Sequence, residues 1–181
     1  DVTLMELSNF NMKLLRQLSE NAPGTFQHSI QVSNLAAAAA NKVGASSLLV
    51  RTGAMYHDIG KLENPIFFTE NQGNTNPHAC LPYEQSAKII INHVHDGLRL
   101  AEKHNLPAAI RDFIATHHGC SNAKYFYISY KNEHPGEEVD EVYRDVKMDF
   151  CRVKGEELHT PGSVVHIVHV GGHKSITEEY V

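Results

Sequence analysis

The chain has 181 residues, of which 41% are hydrophobic, and its formal net charge is -5 at pH 7 with histidine neutral. This length predicts one domain with a substantial core, and the negative charge argues against a non-specific nucleic-acid binder, which needs a basic face. No apolar run reaches the roughly 18 residues that predict a membrane span, and the N-terminus lacks the pattern of a signal peptide.

The hydrophobic pattern predicts α-helices along almost the whole chain. Leucines at positions 4, 7, 14 and 18 predict a first amphipathic helix that ends before Pro23. A second helix, capped by Thr25, is expected to run through the alanines at 36–40 and to stop at Gly44. A third helix is expected to begin at Ser46 or Ser47 and to end near residues 57–60.

The second half of the chain also reads as helical. Residues 62–82 contain prolines, asparagines and a glycine and predict a long loop, a feature that is often functional in compact domains. Helices are expected over 83–104, from Pro107 to about residue 118, and over 124–131. The state of the charged stretch 137–149 stays open, and a last helix over 160–181 is weakened by two adjacent glycines. The predicted fold class is all-α.

The sequence carries an unusual number of potential metal ligands. It contains 13 histidines, and histidine is the commonest metal-binding side chain. In the run Tyr-His-Asp-Ile-Gly-Lys at 56–61, His57 and Asp58 offer adjacent imidazole and carboxylate groups. The helix dipole disfavours a carboxylate at the C-terminal end of a helix. A cation is therefore the simplest partner for Asp58. Three widely spaced cysteines without a Cys-x-x-Cys pair instead predict reduced thiols in a cytosolic protein.

Four further histidines lie near predicted helix ends or within apolar runs. His28 lies early in the second helix, His93 follows three isoleucines and an asparagine, and His117 and His118 close the fifth helix. Each alone has an explanation without metal, as a polar residue at a helix edge or as a partner of the helix dipole. His95 is the competing ligand on the helix of His93. Together with the 57–58 pair, however, these side chains indicate a shared metal centre.

This set of residues resembles that of the HD superfamily of metal-dependent phosphohydrolases. Residues 22–29, 56–61, 67–72, 76–78, 86–93 and 117–127 are similar, in the same order, to motifs of the cytoplasmic domain of seven-transmembrane HD phosphodiesterases. The resemblance covers about residues 10–150, whereas 151–181 match the family poorly. It implies one all-α HD domain over residues 1–181, in the cytoplasm, within a parent protein anchored in the membrane. The domain itself is expected to make no direct membrane contact.

The resemblance also implies two bound divalent metals, usually iron or manganese, and hydrolysis of cyclic di-AMP to the linear dinucleotide pApA. Carried over by motif, one metal would be bound by His28, His57 and Asp58. The other would be bound by His93, His117 and His118, with Asp58 bridging the two. Asp58 and Lys61 are the expected catalytic residues, Lys61 lying near a substrate phosphate. The expected partner is therefore a small anionic cyclic dinucleotide and not a nucleic-acid polymer.

The C-terminal stretch departs from the family pattern. HD enzymes supply a final aspartate to the first metal from a late helix, but residues 164–173 here read Val-Val-His-Ile-Val-His-Val-Gly-Gly-His. Three explanations stay open: His169 replaces the carboxylate, the tail is displaced and leaves the site one ligand short, or residues 151–175 do not represent the native segment. The alternative functions are a non-catalytic sensor that binds metal and nucleotide, another HD nucleotide phosphohydrolase, or a helical protein without metal.

Overall fold

The structure is a computed structural model that describes residues 3–119 and 123–136. Within these ranges all regular secondary structure is helical, with seven α-helices, short 3-10 turns and no strand, which confirms the predicted all-α class. The helices are α1 Leu4–Leu7, α2 Lys13–Asn21, α3 Pro23–Lys42, α4 Ser47–Tyr56, α5 Tyr83–Lys103, α6 Ala108–Thr116 and α7 Lys124–Glu133. The expectations for 137–149 and 160–181 lie outside the described residues.

The predicted first helix is in fact two helices, α1 and α2, separated by residues 8–12. Thr3 and Glu6 cap the N-terminus of α1 with a reciprocal capping box. In the turn that follows α1, the backbone N–H of Asn11 donates to the Asn9 side chain. Such local side-chain bonds compete with helical hydrogen bonds and end the helix. The spacing of the leucines does not report these bonds, so it predicted one continuous helix. The leucines at 7, 14 and 18 are nevertheless all buried, as the amphipathic pattern predicts.

Helices α3 and α4 pack along each other through small side chains. α3 begins at Pro23, two residues before the predicted cap, because a proline at the first helical position has no N–H to leave unsatisfied. It ends just before Gly44, whose φ of 75° is a conformation that glycine adopts without steric cost. α4 begins at Ser47, one of the two predicted starts, and Ser46 caps it. The buried contact residues are Ala36, Ala40, Val50 and Ala54.

The main core surrounds the end of α4. It is formed by Leu7, Leu14, Leu15, Leu18, Ala22, Met55, Tyr56, Ile59, Ala101, Leu106, Ile110 and Ile114. Tyr56 and Ile59 are fully buried on either side of the His57–Asp58 pair, and the Tyr56 hydroxyl donates to the Leu7 carbonyl at 2.8 Å. These two anchors fix the turn that carries the predicted ligands.

The predicted loop over 62–82 is a chain of 3-10 turns, at Pro65–Phe67, Thr69–Asn71 and Pro77–Cys80 after a first turn at Ile59–Glu63. α5 packs against this first turn and against α6, and α7 covers the start of α5 through Phe126 and Ala87. Among the described helices, none combines the length and the apolar character needed to cross a bilayer.

Candidate metal centre

The structure brings all six predicted ligand side chains together. Four of them, Asp58, His93, His117 and His118, place their potential ligand atoms within 4.8 Å of one another. His28, His57 and Asp58 meet the same criterion, so Asp58 belongs to both groups. We call these the three-residue group and the four-residue group. Their geometry is what the predicted ligand set requires, and metal binding itself stays a prediction.

Close backbone packing at Gly60 places the 57–58 turn against α5. A Cβ atom on Gly60 would lie 1.7 Å from the carbonyl oxygen of His93 and 2.4 Å from the backbone nitrogen of Gly97. No side chain fits there, because both neighbouring atoms belong to the backbone of α5. The glycine therefore lets Asp58 approach His93, which is 2% exposed, whereas the competing His95 is exposed.

Three of the histidines are oriented by the backbone of their own helices. The Nδ1 atom of His57 lies 2.6 Å from the Ala54 carbonyl oxygen, and those of His93 and His117 contact the carbonyls of Ile90 and Ile114 in the same way. A carbonyl oxygen only accepts, so each Nδ1 carries a proton, and in a neutral ring Nε2 is then the nitrogen with the lone pair. Histidine ligands of metals are commonly oriented by such a bond on the second ring nitrogen.

The lone pairs of the four-residue group face one another. Nε2 of His93 lies 3.1 Å from Nε2 of His117 and 3.2 Å from Nε2 of His118. Because the Nδ1 atoms of His93 and His117 carry the protons, no hydrogen lies between their Nε2 atoms. Two acceptors at this distance repel each other unless a proton or a cation lies between them. The donor set of neutral imidazoles is one that transition metals favour.

Asp58 supplies the negative charge at the centre. Its Oδ2 atom lies 2.9 Å from Nζ of Lys61 and 3.1 Å from Nε2 of His57. Its Oδ1 atom is buried, lies 3.4 Å from Nε2 of both His93 and His117, and accepts no hydrogen bond within the described chain. A buried carboxylate oxygen without a partner is costly. A cation next to Oδ1 would satisfy it and the facing lone pairs at once.

The protonation states suit metal binding. Burial lowers the pKa of His93 to about 4 and that of His118 to about 2, and it also lowers the pKa of His117. Burial by itself would raise the pKa of Asp58, but the neighbouring His57 and Lys61 side chains hold it well below its usual range. At neutral pH the imidazoles of the four-residue group are therefore neutral and the carboxylate is ionised, as metal ligands must be.

The two groups differ in how many ligands the described chain supplies. Among the described residues, the three-residue group has one potential ligand fewer than the four-residue group. Its two imidazole rings, those of His28 and His57, lie 5.6 Å apart between centroids. The stretch 164–173 lies outside the described residues, so the three explanations for the missing carboxylate, including its replacement by His169, stay open.

Lys61, predicted as a phosphate contact, is buried among carboxylates. Its Nζ atom lies 2.8 Å from Oε1 of Glu70 as well as 2.9 Å from Asp58. Burial would lower the pKa of Lys61, but these two carboxylates raise it above its ordinary value. No role was predicted for Glu70, although it lies in the 67–72 motif. A charged residue in a loop carries no periodic signal that would have singled it out.

Comparison with known proteins agrees with this geometry. The family model described as HD domain matches residues 25–160. The cyclic-di-AMP phosphodiesterase PgpH of Listeria monocytogenes is 46% identical over 146 residues, which are 80% of this chain and 20% of the relative. PgpH of Bacillus subtilis is 45% identical over 139 residues, 76% of this chain and 19% of the relative. The chain thus spans about a fifth of the length of these relatives.

A solved structure shares the fold. The crystal structure of the L. monocytogenes phosphodiesterase PgpH HD domain in complex with cyclic-di-AMP superposes with a TM-score of 0.69 at 38% identity, over 84% of this chain and 78% of that one. The family match, the relatives and the shared fold agree with the His and Asp cluster of the described residues. The chain belongs to the HD domain family, a family of metal-dependent hydrolases.

Proposed function

We propose that this chain is a metal-dependent phosphodiesterase domain that hydrolyses cyclic di-AMP to pApA. The observation that carries the proposal is the convergence of five imidazoles on one buried carboxylate, Asp58, in two groups. The substrate class is supported by the similar proteins, two of which are named cyclic-di-AMP phosphodiesterases, and by the related HD domain that was crystallised with cyclic-di-AMP.

The proposed cofactors are two divalent transition-metal ions, iron or manganese. The three-residue group would bind one ion and the four-residue group the other, with Asp58 shared. Imidazole-rich ligand sets suit these metals better than magnesium, which prefers oxygen and water. Once bound, a pair of such ions neutralises the charge of a phosphodiester and activates water for attack on phosphorus.

The chain's own residues would prepare the site for this chemistry. The bonds from Nδ1 to backbone carbonyls fix the ring planes of His57, His93 and His117, so little reorganisation is needed on binding. Lys61 uses two of its three N–H groups on Asp58 and Glu70 within the described chain, and we propose that the third reaches a substrate phosphate. Asp58 and Lys61 are thus the proposed catalytic residues.

We further propose that residues 1–181 form a single cytoplasmic domain of a protein anchored in the membrane. The resemblance to seven-transmembrane HD phosphodiesterases supports this placement. Detection of the full-length protein in membrane fractions, with its HD domain accessible only from the cytoplasmic side, would test it.

The activity is tested by incubating the purified chain with cyclic di-AMP and manganese, iron or cobalt, and by following pApA on an anion-exchange column. His93→Ala should abolish turnover, whereas His95→Ala, an exposed histidine two residues away on the same helix, should keep wild-type rates. Asp58→Ala should abolish turnover as well, since it removes a ligand of both groups. Absence of pApA with all three metals would refute the proposal for this chain.

A second candidate is a sensor that binds metal and cyclic di-AMP without hydrolysing it. It is favoured by one observation, that the described residues give the three-residue group only His28, His57 and Asp58. This function predicts saturable binding of cyclic di-AMP in the presence of manganese and no product after prolonged incubation. A panel of other nucleotides in the same assay would reveal a different HD phosphohydrolase activity.

A further inference from the structure

Lys61 is a buried ammonium group that lies between two carboxylates. Its side chain is 11% exposed, and its Nζ atom lies 2.9 Å from Oδ2 of Asp58 and 2.8 Å from Oε1 of Glu70. The aromatic ring of Phe68 covers it at 4.9 Å from the ring centroid. The ammonium is thus fixed on the side of Asp58 opposite to Oδ1, the oxygen that faces His93 and His117.

Glu70 is held in place by more than this ion pair. Its Oε1 atom also accepts a hydrogen bond from Thr25 Oγ1 at 2.9 Å. Asn71 donates to the same hydroxyl at 2.8 Å and accepts from the Thr25 backbone N–H at 3.1 Å. A Cβ on Gly24 would lie 1.8 Å from the Glu70 carbonyl oxygen, so the two segments are in direct backbone contact. Glu70 and Asn71 therefore form a strap on the first turn of α3, the helix that carries His28.

The position of Lys61 creates a conflict at Asp58. Asp58 is the only carboxylate of the three-residue group, and the ammonium already contacts its Oδ2 atom. A divalent cation bound next to the same carboxylate would be repelled by the ammonium, because like charges a few ångströms apart in a buried site interact strongly. A second carboxylate that binds Lys61 would remove part of this repulsion. Glu70 is such a group.

We propose that Glu70 is a positioning residue that acts through Lys61: it is the counter-ion that lets the three-residue group bind a cation next to the buried ammonium. The inference rests on the proposed two-metal function. It assigns a role to Glu70 in the 67–72 segment, namely to control cation occupancy of the three-residue group from outside its ligand set.

Metal titration without nucleotide tests this inference. Calorimetric titration of the metal-free chain with Mn(II) should show two binding classes, which His28→Ala and His118→Ala assign to the three-residue and four-residue groups. Glu70→Gln keeps the acceptor for Thr25 but removes the charge. It should weaken binding to the three-residue group by about 10- to 100-fold, the usual effect of removing an outer partner of a metal site, and leave the other class within about twofold.

Two further variants separate the proposed role from a structural one. Adding Lys61→Met to Glu70→Gln should restore Mn(II) affinity at the three-residue group, and Lys61→Met alone should not lower it, because the repelling charge is gone. The matched control is Glu63→Gln, which removes an exposed carboxylate that pairs with Arg99 at 3.4 Å. It should leave both binding classes unchanged.

Several results would overturn the inference. They are a Glu70→Gln protein with wild-type affinity in both classes, an equal loss in both classes, failure of Lys61→Met to restore binding, or a wild-type chain that binds a single Mn(II). Failure of the chain to hydrolyse cyclic di-AMP would instead count against the proposed function alone, since the titration contains no nucleotide.

Discussion

Replacement of Gly60 by alanine should disrupt the contact between the 57–58 turn and α5. The added Cβ would lie 1.7 Å from the His93 carbonyl oxygen, and an ordinary contact begins at 3.4 Å, so the turn has to retreat by about 1.7 Å. The atoms it meets are backbone, which a side-chain rotation cannot move. Overpacking of this kind costs about 1–3 kcal/mol, and a contact this short should cost at least the upper value. For a chain of this length, 3 kcal/mol lowers the melting temperature by roughly 6–12 °C.

The same movement should separate Asp58 from the histidines of α5 and α6. A misplacement of about 1 Å in a reacting site costs roughly 100-fold in rate, so turnover should fall by at least that factor. Urea unfolding of the metal-free protein measures the stability change, and Mn(II) titration measures the ligand geometry. Gly73→Ala is the matched control, because a Cβ there meets nothing within 4 Å. A Gly60→Ala protein within 0.5 kcal/mol of wild type, with unchanged Mn(II) affinity, would refute the packing argument.

Three further outcomes follow from the core and the ligand cluster. Tyr56→Phe removes the hydroxyl that donates to the buried Leu7 carbonyl, and urea unfolding should show a loss of about 1–2 kcal/mol; no loss would mean that water replaces the bond. The pKa of His93 is about 4 in the folded protein, against an ordinary value of 6.5. Neutral His93 therefore makes its full contribution to the stability of the metal-free protein above pH 6.5. This contribution is lost as the pH falls towards 4. His93 alone should account for roughly 2 kcal/mol of the loss between pH 7 and 5. Because His117 and His118 also have lowered pKa values, His93→Gln should make the profile less steep without removing its slope, and a pH-independent wild type would contradict this. Mn(II) at 100 times its dissociation constant should stabilise the wild type by about 2.7 kcal/mol; His117→Ala should lose most of this gain, and an equal gain in that variant would exclude it as a ligand.

The sequence predicted helix boundaries well where a capping residue or a proline marks them. Ser46 and the break after residue 56 bound α4 as expected, and Pro107 precedes α6. The division between α1 and α2 was missed because hydrophobic spacing continues across it while local side-chain bonds end the helix. Periodicity reports which face is buried, and capping decides where the helix stops.

For the site, the ligand set could be proposed from residue types and motif order, and the structure places those side chains together. The Glu70 contact could not be proposed, because it depends on how the 62–82 loop folds back onto the start of α3. A loop without periodicity has no sequence rule that gives the partner of a given charge. The hydrogen bonds of Thr25 and Asn71 that fix Glu70 join residues about 45 positions apart.

Without a cation this cluster would be locally unfavourable, and this is the strongest physical argument that it binds one. The lone pairs of His93 and His117 face each other at 3.1 Å, and Oδ1 of Asp58 is buried without a hydrogen bond in the described chain. A protein selected only for stability would replace these groups with apolar side chains, since buried unpaired polar atoms cost free energy. The surrounding packing of Tyr56 and Ile59 instead preserves the arrangement. Because a bound cation would satisfy the oxygen and the nitrogens together, its binding energy adds directly to the stability of the fold.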